Sequence, residues 1–594
     1  ANAAENYLVY EPGAKITPFI SYGNDVYGAA GVSRIYEIEE EKGRRIVAAT
    51  NGDYFTMATG VSLGTVIRDG VLRTGEHSSF ETVGFDEEGN AMIGRLNLSV
   101  NVQDQNTGSS LKGIGFNKTM SQSNGVILYT EDFGDTNEAG FPTKNVIIDL
   151  ESGIAAPGES IVGTISQKVD ATGKLALEED RLVLSLSSAS PYVSAMAAMD
   201  AMQVGDTVVI DFTTDEKWHG VAQAVGAEKR LITDGQIPAF TDTGRAPRTA
   251  IGVRDDGSVV LYTVDGRQSD YSMGMTYAEL AERMQDLGCR DAVNLDGGDS
   301  TMMFTTYPGY ESQTQVNRSS GTSLRRCGNY ILFENSETPS STLRHLHVYP
   351  YDTWILAGAQ MTLDVRASDG NYYYVKAPAS AISYGLSAKS LGSVSDQGVF
   401  TAGSQTAAGK VTARYNSVSG SATVSVIAEP DSVSLVAFDT GAALPDTLSV
   451  AAGEALQLSA KALYKTLELK SDASAYEWTV EGGIGTIDEK GLFTATTTDL
   501  GTGIVTATAG SRSDSVKITV VTDGKALESF ESDATLTLTP GEYGGLTAAV
   551  QTDPAYVHNG RRSLSLEYEY DLRDAEVTTE GAVYIPEDLT LPLS

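Results

Sequence analysis

Thr276-Tyr277-Ala278-Glu279-Leu280-Ala281-Glu282-Arg283-Met284-Gln285-Asp286-Leu287-Gly288-Cys289-Arg290-Asp291-Ala292-Val293-Asn294-Leu295-Asp296-Gly297-Gly298-Asp299-Ser300-Thr301-Met302 is the stretch from which the rest of the chain is read. Thr276 and Glu279 have the spacing of a capping box, and Tyr277, Leu280, Met284 and Leu287 fall on one helical face. Gly288 supplies the residue after the helix, where a left-handed backbone is needed. The spacing therefore predicts a helix from Thr276 to Leu287, a turn through Cys289–Asp291, and a strand Ala292–Leu295 that opens into the loop Asp296–Met302. The two-residue period of a strand turns Asn294 and Asp296 to one face. Two glycines flanked by Asp296, Asp299 and Ser300 offer backbone donors for an oxyanion, a general acid or base, or oxygen ligands for a hard cation such as Ca²⁺. Asp-Gly pairs also make plain turns, the expectation for Asp69-Gly70, Asp234-Gly235 and Asp256-Gly257.

Upstream, Gly244-Arg245-Ala246-Pro247-Arg248-Thr249 precedes a strand Ala250–Val253, a hairpin through Asp255-Asp256-Gly257, and a return strand Val259–Val264 that ends on Asp265-Gly266-Arg267. The hairpin brings Arg248 and Arg267 toward the same end of two paired strands. Planar guanidinium groups suit bidentate binding of phosphate or carboxylate, although surface ion pairs with the plentiful acids are an alternative. Nearer the N-terminus, the apolar run Ile46–Thr50 delivers Asn51-Gly52-Asp53-Tyr54-Phe55 at its end. Asn51 brings an amide, Asp53 a carboxylate, and Gly52 permits a close backbone approach.

These motifs, with Leu287-Gly288-Cys289 between them, stand in the order and spacing of the phosphodiester glycosidase family, which the segment from about Tyr7 to Phe333 resembles. Asn117-Lys118, Leu128-Tyr129-Thr130 and Leu231-Ile232-Thr233-Asp234-Gly235 are further matches. The resemblance implies hydrolysis at a sugar C1–O–P linkage, releasing a free sugar and a phosphomonoester. It makes Asp296 the first catalytic carboxylate, with Asp53, Asp265 or Asp299 as its partner. Arg248 and Arg267 would hold the phosphodiester, the N–H groups around Gly297 and Gly298 would orient it, and Asn51, Gly52, Thr249, Gly266, Asn294 and Ser300 complete the expected binding set. No cofactor is required, with Ca²⁺ the one candidate metal. Asp299 departs from the family, whose members usually carry a third glycine there; the change either adds a carboxylate to the pocket or alters the loop. Three rival readings remain. A serine esterase using Ser300 lacks a following histidine base. The others are a glycoside hydrolase acting on unphosphorylated glycan and a non-catalytic glycan-binding surface protein.

The chain of 594 residues is too long for one core, and a prior of roughly 150 residues per domain gives about four domains. The polar stretch Asn335–Thr342 reads as the first linker. Beyond it a signature occurs twice, Gly392-Ser393-Val394-Ser395-Asp396-Gln397-Gly398-Val399-Phe400-Thr401-Ala402 and Gly485-Thr486-Ile487-Asp488-Glu489-Lys490-Gly491-Leu492-Phe493-Thr494-Ala495. Each copy precedes a Gly-x-Val-Thr-Ala strand, from Gly409 and Gly503. The repeat resembles bacterial immunoglobulin-like (Big-type) domains. The expected architecture is an α+β N-terminal catalytic domain with a β-rich core over residues 1–336. Two all-β immunoglobulin-like sandwiches follow at 343–429 and 430–523, then a partial carbohydrate-binding, jelly-roll-like β segment at 524–594.

A net charge of −36 repels polyanions and argues against nucleic-acid partners. No apolar run is long enough to span a membrane. The expected partners are therefore a carbohydrate or sugar-phosphate substrate, with cell-wall or glycan association through the C-terminal domains, and the expected location is secreted or cell-surface. Cys289 and Cys327 are either two buried thiols or, as an extracellular setting favours, a disulfide contributing about 3–4 kcal/mol.

Overall fold

The computed structural model describes residues 3–13, 15–269, 271–377, 379–498, 500–521, 544–551 and 563–570. The protein is mostly β, with strands in several separate sheets and few helices. It divides into two compact units, the first comprising Ala1–His347, Val365–Ser380 and Asn416–Ser419, the second Val348–Asp364, Ala381–Tyr415 and the chain from Gly420.

Two five-stranded antiparallel sheets of the first unit position the motifs. One runs in the order Glu5–Tyr10, Val259–Val264, Arg248–Arg254, Cys289–Asn294 and Lys229–Ile232. The hairpin expected through Asp255–Gly257 is its centre, and it pairs Arg248 with Val264. The other sheet runs Ile16–Ser21, Tyr330–Asn335, Ile46–Asn51, Met303–Thr305 and Thr314–Gln315. Alternation explains how both are covered. Ile251, Leu261 and Val293 of the first sheet and Ile331 and Phe333 of the second enter one shared core. On their other faces, Ala250, Val260, Tyr262 and Ala292 pack against the helix Tyr277–Asp286, and Tyr330 and Leu332 against the helix Val32–Glu41. Being buried on both sides, these strands are near-continuous apolar runs. An eight-stranded sheet and a further five-stranded sheet complete most of the unit.

The helix starts as its sequence dictates. Thr276 accepts from the Glu279 amide, the Glu279 carboxylate accepts from the Thr276 amide, and Gly288 takes a φ of +87°. Its apolar side packs over Cys289, whose Sγ would lie 2.6 Å from any Cβ at Gly252. Cys327 sits in the separate core under the other helix. Both cysteines are free, buried thiols, so the disulfide expected between them is overturned: each is packed in its own apolar core. Burial pushes both thiols up to about 12, which keeps them protonated.

In the second unit the repeated signature produces a repeated topology. Each copy has its first edge strand parallel to its last strand: Asp352–Leu356 beside Val418–Ile427, and Thr447–Ala451 beside Arg512–Val521. Phe400 and Phe493 are fully buried at equivalent positions, and Gly398 and Gly491 make the same left-handed turn at φ +78° and +75°. The jelly-roll-like segment expected at 524–594 lies outside the described residues apart from the strand pair Gly544–Gln551 and Ser563–Tyr570.

Candidate active site

The central strands of the two sheets end side by side, and Asn51 joins them. Its Nδ2 donates to Asp296 O at 2.7 Å, while its Oδ1 accepts from Thr249 Oγ1 at 2.9 Å and from the Met302 amide at 3.2 Å. The Asp296 amide in turn donates to Gly52 O at 3.0 Å. Asn51 and Thr249, expected to bind substrate, spend these groups on holding the two loops together. Gly52 is required because a Cβ there would lie 2.0 Å from Asn329 Oδ1, the atom that accepts from the Asp53 amide.

Asp53 is 1% exposed. Its Oδ2 accepts from the Gly64 amide at 2.6 Å, and among the described residues its Oδ1 has no hydrogen-bond partner. Glycines at 64 and 226 make room for it, since a Cβ at either would lie within 2.8 Å of Oδ2. Lys118, half-buried, lies beside it and donates to the carbonyls of Ser62, Leu63 and Gly64 at 2.7 to 2.8 Å. Burial raises the Asp53 pKa and lowers that of Lys118, and each charge opposes the shift of the other. The lysine thus fixes the loop that carries the aspartate and balances its charge.

Asp296 is less enclosed, at 8% exposure. Burial pushes its carboxyl up to about 6 against the lowering effects of the Ser300 hydroxyl, the Gly297 amide and Arg325, with Glu228 adding a further raising charge. Asn294 lies alongside. Its Nδ2 donates to Leu295 O and at 3.3 Å to the Tyr54 hydroxyl, and among the described residues its buried Oδ1 has no partner. Burial raises the Tyr54 pKa well above the ordinary tyrosine range, so this ring presents a neutral hydroxyl.

Arg248 runs beside the loop that follows Asp296, its Cα and Cδ within 4 Å of where a Cβ at Gly297 would lie. Its guanidinium donates to Met275 O and Gly244 O at 3.2 and 3.1 Å, and its Cζ lies 3.9 Å above the centre of the Tyr277 ring. Tyr277 donates its hydroxyl to Glu228 at 3.0 Å. Among the described residues Arg248 has no ion-pair partner, although it is only 7% exposed. A buried cation without a counter-charge is costly unless an anion arrives to pair with it.

The remaining candidates are committed elsewhere. Asp265 accepts from Asn317 Nδ2, the Arg318 amide and the Tyr271 hydroxyl, so it clamps the loop at 317–318. Asp299 accepts from Ser320 at 2.6 Å, Arg325 at 2.8 Å and Arg267 at 3.1 Å, and these partners, Ser320 first, hold its carboxyl below the usual range. The departure from the family glycine thus adds a carboxylate that neutralises Arg267, an arginine with 54% side-chain exposure. The expected N–H donors are also spent. The Gly298 amide donates to Pro247 O at 2.9 Å, and the Gly297 amide serves the Asp296 carboxyl. Gly266 is a packing requirement, as a Cβ there would lie 2.6 Å from the Pro247 nitrogen. Among the described residues no three His, Cys, Asp or Glu side chains gather as a metal-ligand set. Glu228 and Arg325 were not singled out from the sequence. Glu228 stands in a run of charges with Lys229 and Arg230, and Arg325 next to Arg326, so neither is set apart by a motif of its own.

Residues 164–334 match the phosphodiester glycosidase family. A curated Bacillus subtilis (strain 168) relative, the SPbeta prophage-derived uncharacterized protein YomE, is 42% identical over 67 residues, which are 11% of this chain and 10% of that protein. The chain thus spans about a tenth of that relative's length. Among solved structures, a hypothetical protein from Synechocystis is similar at 20% identity and a TM-score of 0.45, over 56% of this chain and 59% of that one. The zebrafish N-acetylglucosamine-1-phosphodiester alpha-N-acetylglucosaminidase catalytic domain, auto-inhibited by its pro-peptide, is similar at 14% identity and a TM-score of 0.26, over 56% of this chain and 82% of that one.

Proposed function

We propose, from the phosphodiester glycosidase match at residues 164–334, that this protein hydrolyses a sugar-1-phosphodiester at the C1–O–P linkage in an extracellular glycan or cell-envelope polymer. The observation that supports this reading best is Arg248, a buried and unpaired cation stacked on Tyr277 beside the Asp296 loop. A diester phosphate carries one negative charge, and a planar guanidinium meets two of its oxygens. A Cβ at Gly297 would lie 3.8 and 3.9 Å from the Arg248 Cα and Cδ, so the arginine stem runs beside the loop that carries Asp296, and phosphate on its guanidinium would bring the sugar toward that loop.

Asp296 is the catalytic carboxylate. With its carboxyl at about 6 it is mostly ionised at neutral pH, as stabilisation of an oxocarbenium-like transition state or activation of water requires. Arg248 stabilises charge on the departing phosphate, which is already a good leaving group. Asn294, through its unpartnered Oδ1, and the Tyr54 hydroxyl orient the sugar. Asp53, buried beside Lys118, holds the loop at 62–64 in place behind the site. A secreted or surface location, immunoglobulin-like modules at 343–429 and 430–523 and a partial carbohydrate-binding segment at 524–594 complete the proposal.

The test is release of free sugar from UDP-N-acetylglucosamine and from a methyl-phosphate diester of N-acetylglucosamine. Wild type is expected to release sugar, and Asp296→Asn to lose about 10²–10⁴-fold in kcat/KM. Cleavage of an aryl glycoside with no action on either diester would replace this reading with that of an ordinary glycoside hydrolase.

A further inference from the structure

The strand Ile46–Asn51 has a second end, remote from the catalytic loops. Ile46 and Val47 there line a groove of about 900 Å³ in the first unit, separated from Asn51 by a strand length of about 17 Å. That volume is near the upper end of roughly 300–1,000 Å³ for small-molecule sites, enough for several sugar rings.

One wall is the turn Asp369-Gly370-Asn371-Tyr372-Tyr373-Tyr374, and it is built rigidly. Asp369, 1% exposed, accepts from the Asn371 amide at 2.8 Å, the Tyr373 amide at 3.0 Å and the Ser340 amide at 2.5 Å. Tyr373 is tethered, its hydroxyl donating to Asn335 O and Glu337 O at 2.7 and 2.8 Å, with Arg45 over its ring. Its neighbours are left open: Tyr372 is 55% and Tyr374 36% exposed. Tyr372 adopts a φ of +66°, a left-handed backbone that a bulky side chain rarely takes, while its ring stacks on His345 at 4.7 Å and 1°. Backbone strain of this kind clusters at ligand clamps. The stack leaves one flat aromatic face for solvent or a ligand.

We propose that this groove binds an uncharged oligosaccharide chain, whose pyranose rings lie on Tyr372 and Tyr374. The C–H bonds on one face of a pyranose are weakly positive and complement the negative face of an aromatic ring. Hydroxyls at the ring edge meet the Gln313 amide and the Arg45 guanidinium of the wall. Charge favours a neutral occupant: Lys15, Arg44 and Arg45 stand against Glu40 and Glu311, so the lining is nearly balanced in a protein of net charge −36. Neither a polyanion nor a basic peptide matches that balance. The groove stands on its own residues and does not depend on the hydrolase reading.

The test is isothermal titration calorimetry of the full chain with chitohexaose and cellohexaose. Wild type is expected to bind at least one of them at one site. Tyr372→Gly with Tyr374→Ser should weaken binding tenfold or more, while Asp296→Asn binds as wild type does. Glycine suits the left-handed backbone at 372, and Tyr374→Ser alone, at an exposed position, should still weaken binding measurably if the double variant unfolds early. Failure of both hexaoses to bind, or equal binding by wild type and Tyr374→Ser, overturns the proposal. Loss of hydrolysis in Asp296→Asn with groove binding intact keeps the two sites separate.

Discussion

A carboxyl raised by burial pays for its place in the fold, and Asp296 shows the sign of that cost. Its folded pKa of about 6 exceeds the unfolded value of 3.8, so between these pH values the folded state holds a proton that the unfolded state has released. Stability from this group is therefore fully present below about pH 4 and lost as pH rises through about 6. Asp296→Asn removes the penalty. At pH 8 the variant should be more stable than wild type by roughly 1–3 kcal/mol, and at pH 3.5 nearly equal to it, as read by urea denaturation at the two pH values. Activity runs the other way. If the ionised carboxylate acts, kcat/KM rises as pH increases through 6. Glu228→Gln, which removes a raising charge, should move that limb to lower pH, and Arg325→Gln should move it to higher pH. Arg248→Gln should leave stability unchanged or improved, because it removes an unpaired buried charge, and lower kcat/KM on a diester by about 10²–10³-fold.

At the scale of elements, the repeated signature sets two hydrophobic plugs. Phe400 and Phe493 are each fully buried between strands of their own repeat, and truncating either to alanine should cost about 3–5 kcal/mol in that repeat's unfolding transition, measured by scanning calorimetry. The repeat that carries them was legible because the signal is local: a Gly-containing turn followed two residues later by a phenylalanine, then a Gly-x-Val-Thr-Ala strand. The capping box at Thr276, the hairpin at Asp255–Gly257 and the strand-to-loop passage from Asn294 to Gly298 were legible for the same reason. What escaped the sequence is long-range. Asn51 meets Asp296 across the ends of two sheets, and Lys118 reaches the carbonyls at 62–64 from a distant loop. Glu228 enters the site only because the strands on either side of it belong to different sheets. Asp299 was read as a pocket acid because nothing local announces that Ser320 and Arg325 will claim it. The disulfide failed on the same ground, since spacing along the chain does not reveal that Cys289 and Cys327 belong to separate cores.

Over the whole molecule, the first compact unit is not continuous in sequence, for it includes Val365–Ser380 from beyond the polar stretch at 335–342. The contacts that draw this segment in are specific. Asn335 Nδ2 donates to Asn371 O at 2.8 Å, Lys15 donates to Asn371 Oδ1 at 2.7 Å, and Tyr373 closes on the backbone of residues 335 and 337. Arg366 lies 4.5 Å over the Tyr310 ring, and Gly309 packs so closely on Arg366 that a Cβ there would lie 2.7 Å from the arginine Cβ. A chain ending at Ser336 loses all of them while keeping every residue of the candidate active site. Each kilocalorie lost from a unit of this size lowers its melting temperature by about 1–2 °C. The shortened chain should therefore retain kcat/KM on a soluble diester at 25 °C yet melt several degrees below the first-unit transition of the full chain. Differential scanning calorimetry of the two chains reads the difference. Equal melting temperatures would show that the segment at 365–380 decorates the first unit without stabilising it.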